Sequence, residues 1–291
     1  MTRLGIFGYG EVGHGLALGL RAAGLASIAA YQCMPHSALT QARARDSGVR
    51  LVATPAELAQ AAGLIVAVTQ GSEALNAARA MREALRPHHC YVDLASASPR
   101  TKQEIAGMLA PSGALVADGA IEGSPLDHQH RFPVIASGPG AAAFAEAMTP
   151  WGMRITVVGP EIGRAAAIKG LRHILMKGQI ALLVECAVAA KRYGIREEVL
   201  ASAAEWYDAL PFMTNASRLL RTTTVHAARR AEEAGMAQSM LEELGLEPVM
   251  TRATVTVLDR IAQLGLRDRL GGVAPESHVA ALDLMEGVLR T

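Results

Sequence analysis

The stretch LGIFGYGEVGHGLALGL, residues 4–20, decides the fold because it joins an apolar strand, a glycine loop and a helix. Gly8, Gly10 and Gly13 have the spacing G-x-G-x-x-G directly after the strand. In this arrangement Gly8 allows a tight turn, Gly10 lets a pyrophosphate approach the backbone, and Gly13 lets the helix pack closely on the strand. The N–H groups at the start of the helix then hold the anion. The stretch therefore predicts a dinucleotide-binding, Rossmann-like domain.

The second predicted strand ends at Gln32, where dinucleotide-binding domains distinguish NAD from NADP. Neither a carboxylate for the ribose hydroxyl nor an arginine for a 2′-phosphate occurs in residues 31–34. Gln32, His36 and Ser37 can instead donate hydrogen bonds to a phosphate. The sequence therefore favours NADP, with NAD as the alternative. The residues predicted to bind the cofactor are Gly8, Tyr9, Gly10, Glu11, Val12, Gly13, Gln32, Cys33, Thr69, Gln70 and Ser96.

Eight short apolar runs alternate with helical patterns in the first half of the chain, which predicts parallel strands joined by crossover helices. Residues 64–68 are apolar at every position, as expected of a strand covered on both faces. The predicted fold class is α/β, with a doubly wound, mostly parallel sheet. The eight runs are RLGIFG (3–8), SIAAYQ (27–32), VRLVA (49–53), LIVAVTQ (64–70), CYVDLAS (90–96), ALVADGA (114–120), PVIASG (133–138) and RITVVG (154–159).

After Pro160 the strand signal disappears and helix-forming residues continue to the end of the chain. The sequence therefore predicts two domains, a dinucleotide-binding domain over residues 1–160 and an all-helical domain over residues 161–291. The helical domain begins with one long helix, residues 161–194. Breaks are predicted near residues 193–195, 210–212, 244–248 and 270–276.

The composition favours small-molecule chemistry. The chain of 291 residues has a formal net charge of +1 and few aromatics, so it has no electrostatic footprint for nucleic acid or an anionic membrane. Its three cysteines are far apart, which predicts neither disulfides nor a metal site. No signal peptide is evident, and no window approaches about 18 uninterrupted apolar residues. We therefore expect a cytoplasmic protein that does not enter a membrane.

The stretch IKGLRHILMKG, residues 168–178, has two helical faces. Ile168, Leu171 and Leu175 lie on one face and predict a packing stripe. Gly170 costs a helix roughly 1 kcal/mol relative to alanine, which favours a close approach of another backbone or of the cofactor at this point. The other face carries Lys169, Arg172, His173, Met176 and Lys177.

Three motifs follow the glycine loop along the chain: DLASASP at 93–99, ADGAIEGSP at 117–125 and IGRAAAIKGLRH at 162–173. In this order they resemble the signatures of the β-hydroxyacid dehydrogenases, relatives of 6-phosphogluconate and 3-hydroxyisobutyrate dehydrogenases. The resemblance spans almost the whole chain. The helical remainder is similar to a bacterial branch of this superfamily whose C-terminal domain has no settled function.

The resemblance places Lys169 at the family's catalytic lysine. It implies a general base that takes the hydroxyl proton as hydride leaves, and a general acid in the reverse direction. Burial and the nearby cations Arg172 and His173 are expected to lower the pKa of Lys169. These two residues replace the family's two asparagines. His173 thus either bonds the substrate oxygen or is a histidine satisfied within the helical bundle.

In the loop at 117–125, Glu122 stands where the family has its substrate-binding serine. Glu122 pairs with Lys169, orients a substrate hydroxyl or amine, or has no role. A carboxylate here argues against an anionic substrate group beside it. The catalytic residues that we infer are Lys169, His173 and Glu122. The substrate-binding residues that we infer are Glu122, Gly123, Ser124, Arg172 and His173.

The resemblance implies hydride transfer between nicotinamide and the alcohol or carbonyl form of a hydroxyacid or polyhydroxylated compound. It also implies a homodimer built through the helical domain. An imine reductase is the alternative enzyme, although Lys169 argues against it. A dinucleotide sensor or scaffold without chemistry is the alternative of a different class.

The helical segment VHAARRAEE, residues 225–233, has two interpretations. Arg229 and Arg230, beside His226, bind a carboxylate or phosphate by forked hydrogen bonds. Alternatively, they form a helix face paired with the glutamates at 232 and 233, which we favour.

Overall fold

The computed structural model describes residues 2–34 and 36–289, which divide into two compact units between Ile174 and Leu175. Sequence patterning instead places the boundary at residue 160. The difference has a physical cause: the first amides of the long helix donate to side chains of the sheet, Ala165 N–H to Ser137 Oγ and Ala166 N–H to an Asp118 carboxylate oxygen. The first turns of this helix therefore belong to the first unit.

The first unit is built on an eight-stranded sheet with the order β3-β2-β1-β4-β5-β6-β7-β8. Neighbouring strands are parallel except for β6 and β7, which are antiparallel. The predicted α/β class and all eight predicted strands are confirmed. The strands are β1 Leu4–Phe7, β2 Ile28–Tyr31, β3 Arg50–Val52, β4 Leu64–Ala67, β5 Cys90–Asp93, β6 Leu115–Ile121, β7 Pro133–Ser137 and β8 Arg154–Val157.

Helices cover both faces of this sheet. Ile6 packs into the cluster that contains Leu16 of the first helix, whereas the next residue, Phe7, packs on the opposite face with Leu58 of the third. Successive strand residues point to opposite faces, so β1 is buried on both sides. The helices of this unit are α1 Glu11–Ala22, α2 Ala38–Ser47, α3 Pro55–Ala61, α4 Ala74–Met81, α5 Pro99–Leu109, α6 Pro125–His128 and α7 Ala141–Met148.

The second unit is helical throughout its described part, and the division between units falls within its first helix, α8. The four predicted breaks each lie between successive helices or after the last turn of one. The helices are α8 Arg164–Tyr193, α9 Arg196–Asp208, α10 Phe212–Glu243, α11 Val249–Gln263, α12 Leu266–Arg269 and α13 His278–Met285.

Glu185 of α8 holds the start of α11. Its carboxylate accepts hydrogen bonds from the backbone N–H groups of Met250 and Thr251, both at 2.9 Å, and from the Thr251 hydroxyl. Burial alone would raise the pKa of Glu185, but these hydrogen bonds outweigh it and the pKa lies below its ordinary value of 4.5. Glu185 therefore satisfies the free amides of a helix N-terminus with a charged acceptor.

Replacement of Glu185 by glutamine is expected to lower the free energy of unfolding by about 1 kcal/mol at pH 7, as for other lost N-terminal caps. Because the folded pKa is depressed, the carboxylate contributes its stability above pH 4.5 and loses it as the pH falls below that value. Urea unfolding at pH 7 and at pH 3 measures both effects. The exposed Glu205→Gln is the control, and equal losses for both variants would contradict the capping role.

The apolar face of α8 is exposed. Leu171 is 67% exposed and Ile174 is 71% exposed, and Ile168 and Leu175 are exposed as well. The prediction of a packing stripe is therefore wrong within this chain, because helical periodicity identifies an apolar face without identifying what covers it. By length and composition alone, α8 is long and apolar enough to cross a membrane, and one such helix is weak evidence. The expectation of a non-membrane protein stays a prediction.

Candidate functional site

The glycine loop between β1 and α1 has the predicted geometry at two of its three glycines. Gly8 has a φ of +96°, which a side chain rarely tolerates. A Cβ atom placed on Gly13 would lie 2.3 Å from the Gly8 carbonyl oxygen. The tight turn and the close packing of α1 on the loop are thereby confirmed. A Cβ atom on Gly10 would meet no described atom within 4 Å, so this position is open to a ligand.

A cavity of about 440 Å³ lies against this loop and the end of β2. The first backbone bond of α1 runs from His14 N–H to Gly10 C=O, so the preceding amides have no partner within the helix and can face an anion. Thr69 Oγ1 is buried and has no hydrogen-bond partner among the described residues. The residues present therefore fit a dinucleotide. The lining includes Gly8, Gly10, Gln32, Cys33, Thr69 and Gln70.

The end of β2 presents an amide where many dinucleotide-binding domains present a carboxylate. Gln32 Oε1 accepts a hydrogen bond from Cys33 N–H at 3.2 Å, which leaves the side-chain nitrogen as the donor available to a ligand. Ser37 is already engaged, because its hydroxyl donates to Thr40 Oγ1 at 2.8 Å and caps α2. Of the three predicted phosphate donors, Gln32 lines the cavity.

Two other predicted cofactor residues differ in exposure. The Tyr9 side chain is fully buried, with its hydroxyl against Ser47, so Tyr9 can offer a ligand only its backbone. Glu11 is exposed at the first position of α1. Val12 borders a second cavity, of about 290 Å³, that also includes Thr69, Gln70, Ser96, Gly123 and Lys169.

Lys169 and Ser96 stand between this second cavity and a third. The third cavity, of about 220 Å³, is lined by Ser96, Lys169, Gly170 and His173 among others. Lys169 Nζ donates a hydrogen bond of 2.9 Å to Ser96 Oγ. The lysine is thus fixed where it borders both spaces. The close approach predicted at Gly170 is absent within the chain, because no described atom lies within 4 Å of a Cβ placed there.

The pKa of Lys169 lies below its ordinary value, as predicted. Burial lowers it most, followed by the positive charges of Lys102 and Arg172, while the negative charge of Glu122 opposes them. His173 is not among the causes of this shift. A lysine with a lowered pKa in a cavity gives up its proton more readily than an ordinary lysine, which favours a role in proton transfer.

Glu122 pairs with Arg172 rather than with Lys169. Its Oε1 lies 3.2 Å from Arg172 Nη2. This contact lacks hydrogen-bond geometry, so the buried Oε1 accepts no hydrogen bond from the described residues. Of the neighbouring loop residues, Gly123 lines the second cavity, whereas Ser124 precedes α6 and lines none of these three cavities.

Beneath Lys169 lies a group that sequence reasoning missed, which we call the buried charge cluster: Lys102, Asp93 and Asp118. Lys102 Nζ lies 2.8 Å from Asp93 Oδ2 and 3.4 Å from Asp118 Oδ1, and all three residues are at most 2% exposed. The sequence held one signal. Lys102 shares the buried face of α5 with Ile105 and Leu109, and a lysine on an apolar face implies a buried partner.

The arginines of α10 form no anion site of the kind considered from the sequence. Arg229 pairs with Glu233 at 2.7 Å, which confirms the favoured interpretation for that residue. Arg230 donates instead to Thr222 Oγ1 at 2.7 Å, to Thr223 Oγ1 and to Leu219 O. Arg230 is thereby engaged within its own helix.

Residues 3–159, more than half of the chain, match the family described as the NAD binding domain of 6-phosphogluconate dehydrogenase. The chain belongs to this family. A second match covers residues 190–261 and is described as Domain of unknown function (DUF1932). The 6-phosphogluconate dehydrogenase type of NAD-binding domain thus accounts for the sheet and the glycine loop. Among the described residues, no group of three or more His, Cys, Asp or Glu side chains is arranged to hold a metal ion.

Solved structures resemble the chain over nearly its whole length. The conserved protein MTH1747, whose structure is described as similar to 3-hydroxyacid dehydrogenases, is 32% identical, with 91% of this chain and 98% of that chain covered and a TM-score of 0.62. An imine reductase from Myxococcus stipitatus, solved with NAD⁺, is 16% identical, with 98% of this chain and 99% of that chain covered and a TM-score of 0.78. A reductive aminase from Aspergillus terreus, solved with NADPH and ethyl levulinate, is 19% identical, with 97% of this chain and 99% of that chain covered and a TM-score of 0.75. At these two identities the likeness shows the fold alone.

Proposed function

We propose that the protein is an NADP-preferring oxidoreductase that interconverts an alcohol and its carbonyl form, with Lys169 as general acid and base. One observation carries this proposal. Lys169 has a lowered pKa, is held by Ser96, and borders both the second and the third cavity. The nicotinamide, when bound, supplies or accepts the hydride.

Each polar residue of the site has a part in this chemistry. In the reducing direction the Lys169 ammonium donates a proton to the carbonyl oxygen, and in the oxidising direction the neutral amine takes the hydroxyl proton. Ser96 Oγ holds the lysine nitrogen. His173 lines the third cavity, where its ring nitrogens can bond the substrate oxygen. The carboxylate of Glu122, whose side chain is 21% exposed, can accept from a second hydroxyl of the substrate.

This assignment favours a substrate with a neutral hydroxyl beside Glu122. Arg172 compensates the charge of Glu122 at 3.2 Å, so neither residue offers a free charge to an anion. A carboxylate placed against this pair would face Glu122 as well as Arg172. Polyhydroxylated compounds, and hydroxyacids whose carboxylate lies away from this pair, therefore suit the site.

A preference for NADP follows from the end of β2. In residues 31–34 no carboxylate repels a phosphate, and the Gln32 amide nitrogen is free to donate to one. A ribose hydroxyl of NAD would lack the carboxylate that usually accepts its hydrogen bond. Other proteins of this fold have been solved with NADPH or with NAD⁺. The preference between the two cofactors therefore depends on the residues at the end of β2 rather than on the fold.

A screen that follows nicotinamide absorbance tests the proposal. NADH and NADPH are offered in parallel with aldehydes, ketones and imines, and NAD⁺ and NADP⁺ with hydroxyacids and polyols. We expect turnover with a carbonyl or hydroxyl compound and a lower KM for the phosphorylated cofactor. Tight NADPH binding without turnover across the whole panel would overturn the proposal and favour the sensor or scaffold.

Imine reduction is the second candidate function, and one observation favours it. The carboxylate of Glu122, whose side chain is 21% exposed, can accept a hydrogen bond from an amine or a protonated imine as well as from a hydroxyl. Lys169 argues against it, because a second cation in the cavity disfavours a cationic substrate. Turnover of imines with little turnover of the matching ketones would decide for this alternative.

A homodimer built through the second unit is part of the proposal. Ile180, Leu183 and Val184 form an exposed apolar row at i, i+3 and i+4 on α8. Such a row is unfavourable in water, and a second copy of the chain is the partner that the family resemblance implies.

Cysteines 33, 90 and 186 are free, which suits the reducing cytoplasm that we propose as the location of the protein.

The double variant Ile180→Glu/Val184→Glu is expected to convert a dimer into a monomer, because burying two carboxylates in an apolar interface is costly. Analytical ultracentrifugation measures the mass against the 30.5 kDa chain. Leu115→Glu places one carboxylate on an exposed aliphatic position outside α8 and should leave the dimer intact. A monomeric wild type, or pelleting with lipid vesicles in place of self-association, would contradict the dimer.

A further inference from the structure

We propose that the buried charge cluster of Lys102, Asp93 and Asp118 is a positioning device that fixes the first turn of α8 and sets the electrostatic environment of Lys169. The inference rests on the proposed role of Lys169 as acid and base. None of the three residues is assigned contact with substrate. They act through the helix that carries Lys169 and through the field at its ammonium.

Lys102 is held from several sides. Its ammonium donates to the Asp93 carbonyl oxygen and to Asp93 Oδ2, both at 2.8 Å, and to Gly119 O at 3.4 Å. Asp118 Oδ1 lies 3.4 Å away. Lys102 lies on α5, and these partners come from the end of β5 and the middle of β6. The cluster therefore joins two neighbouring strands at the edge of the sheet where α8 begins.

Asp118 and Ser137 bind the start of α8 directly. Asp118 Oδ2 accepts a hydrogen bond from Ala166 N–H at 3.0 Å and lies 3.4 Å from Ser137 Oγ. Ser137 Oγ in turn accepts from Ala165 N–H at 3.0 Å. Lys169 follows Ala166 by three positions and so lies on the same face of the helix. Fixing these amides fixes the point from which the Lys169 side chain extends.

Stability alone gives no reason for three charges at this place. Removing a lysine and two carboxylates from water costs several kcal/mol per ion, and a well-packed apolar group of similar volume often serves as well or better. The neighbouring residues Ile105 and Leu109 of α5 are apolar and fully buried. An electrostatic role explains the three charges better than stability does. Lys169, which lines the third cavity together with Lys102, is the titratable group on which they can act.

The charges that act on Lys169 come from three elements. Lys102 of α5 and Arg172 of α8 lower its pKa, and Glu122 at the end of β6 raises it. Lys102 is the stronger of the two cations in this effect. Lys102 is one of the residues that line the third cavity together with Lys169. A fixed positive charge on that side favours the neutral amine of Lys169.

Competitive acylation measures this effect without substrate. The full-length protein is treated with trace acetic anhydride over a range of pH, and mass spectrometry follows the Lys169 peptide, because only the neutral amine reacts. The double variant Lys102→Met/Asp93→Asn removes one charge of each sign, so that Asp93 is not left unpaired. We expect its midpoint for Lys169 to rise by roughly half to one pH unit relative to the wild type.

Asp118→Asn provides the opposite change, because it keeps an oxygen for Ala166 N–H and removes a negative charge beside Lys102. Here the Lys169 midpoint should fall. Ile105→Val is the structural control: it perturbs the same buried face of α5 without changing charge, and its midpoint should equal that of the wild type. Opposite shifts in the two charge variants are not expected from loosened packing alone.

An unmoved midpoint in a folded charge variant, or an equal shift in Ile105→Val, would overturn the inference. If the double variant does not fold, the direction of the Asp118→Asn shift decides. Failure of the substrate screen leaves these midpoints unaffected, and failure of the midpoints leaves the screen unaffected. The positioning role and the proposed function are therefore tested separately.

Discussion

Replacement of Lys169 by methionine is expected to lower turnover by about 10²–10⁴-fold while leaving NADPH binding nearly unchanged. Methionine keeps much of the length of the side chain but cannot carry the proton, and removal of a general acid–base group has effects of this size. The glycine loop that we expect to hold the dinucleotide is separate from this side chain. The loss should therefore appear in kcat, with a small effect on the dissociation constant for NADPH measured by fluorescence.

The pH dependence supplies a second test with a defined sign. Reduction needs the Lys169 ammonium, so the rate should fall as the pH rises above the lowered pKa, whereas oxidation needs the amine and its rate should rise. Both of these pH dependences should be absent in Lys169→Met. Lys177→Met, on an exposed position two turns along α8, is the control and should keep both. A Lys169→Met variant with full turnover would refute the mechanism.

The central strands of the sheet were predictable because they are buried on both faces. A run such as residues 64–67 is apolar at every position, and burial on two sides is the condition that produces such a run. The strand boundaries followed from glycines and polar residues at the ends. The antiparallel pairing of β6 with β7 was not predictable, because an apolar run has no information about the direction of its neighbour.

The site was predictable where a backbone requirement is unique to glycine. At Gly13 a side chain would collide with the Gly8 carbonyl, and this geometry appears in the sequence as the glycine itself. Pairings between side chains have no comparable signature. Glu122 meets Arg172 and Lys102 meets Asp93 because the fold brings their strands and helices together, and neither spacing in the sequence specifies that contact.

The exposed face of α8 shows a different kind of error. Leu171 has the right residue type and the right period for a packing stripe, yet it is 67% exposed within the chain. Amphipathic periodicity reports that a face is to be covered, and the covering partner can be another molecule. The packing prediction is therefore wrong within the chain, and a second copy of the chain is the covering partner that the proposed dimer would supply.

Gly10→Ala is expected to weaken NADPH binding by about 10–100-fold, a loss of about 1.4–2.8 kcal/mol, without affecting the fold. Gly10 has φ −80° and ψ −154°, which alanine adopts without strain, and a Cβ there meets no described atom within 4 Å. The methyl group would instead occupy the space through which a pyrophosphate reaches the backbone. Fluorescence titration with NADPH and thermal unfolding of the free protein measure the two effects separately.

Two further glycines of the same stretch give this prediction its controls. Gly15→Ala also meets open space, inside α1, and should leave binding unchanged while adding up to about 1 kcal/mol of stability. Gly13→Ala should act on the stability of the fold, whereas Gly10→Ala should act on NADPH binding. Its methyl group would collide with Gly8 O, so the free protein should lose about 1–3 kcal/mol or fail to fold. Unchanged NADPH affinity in Gly10→Ala would show that the dinucleotide does not approach the backbone at this glycine.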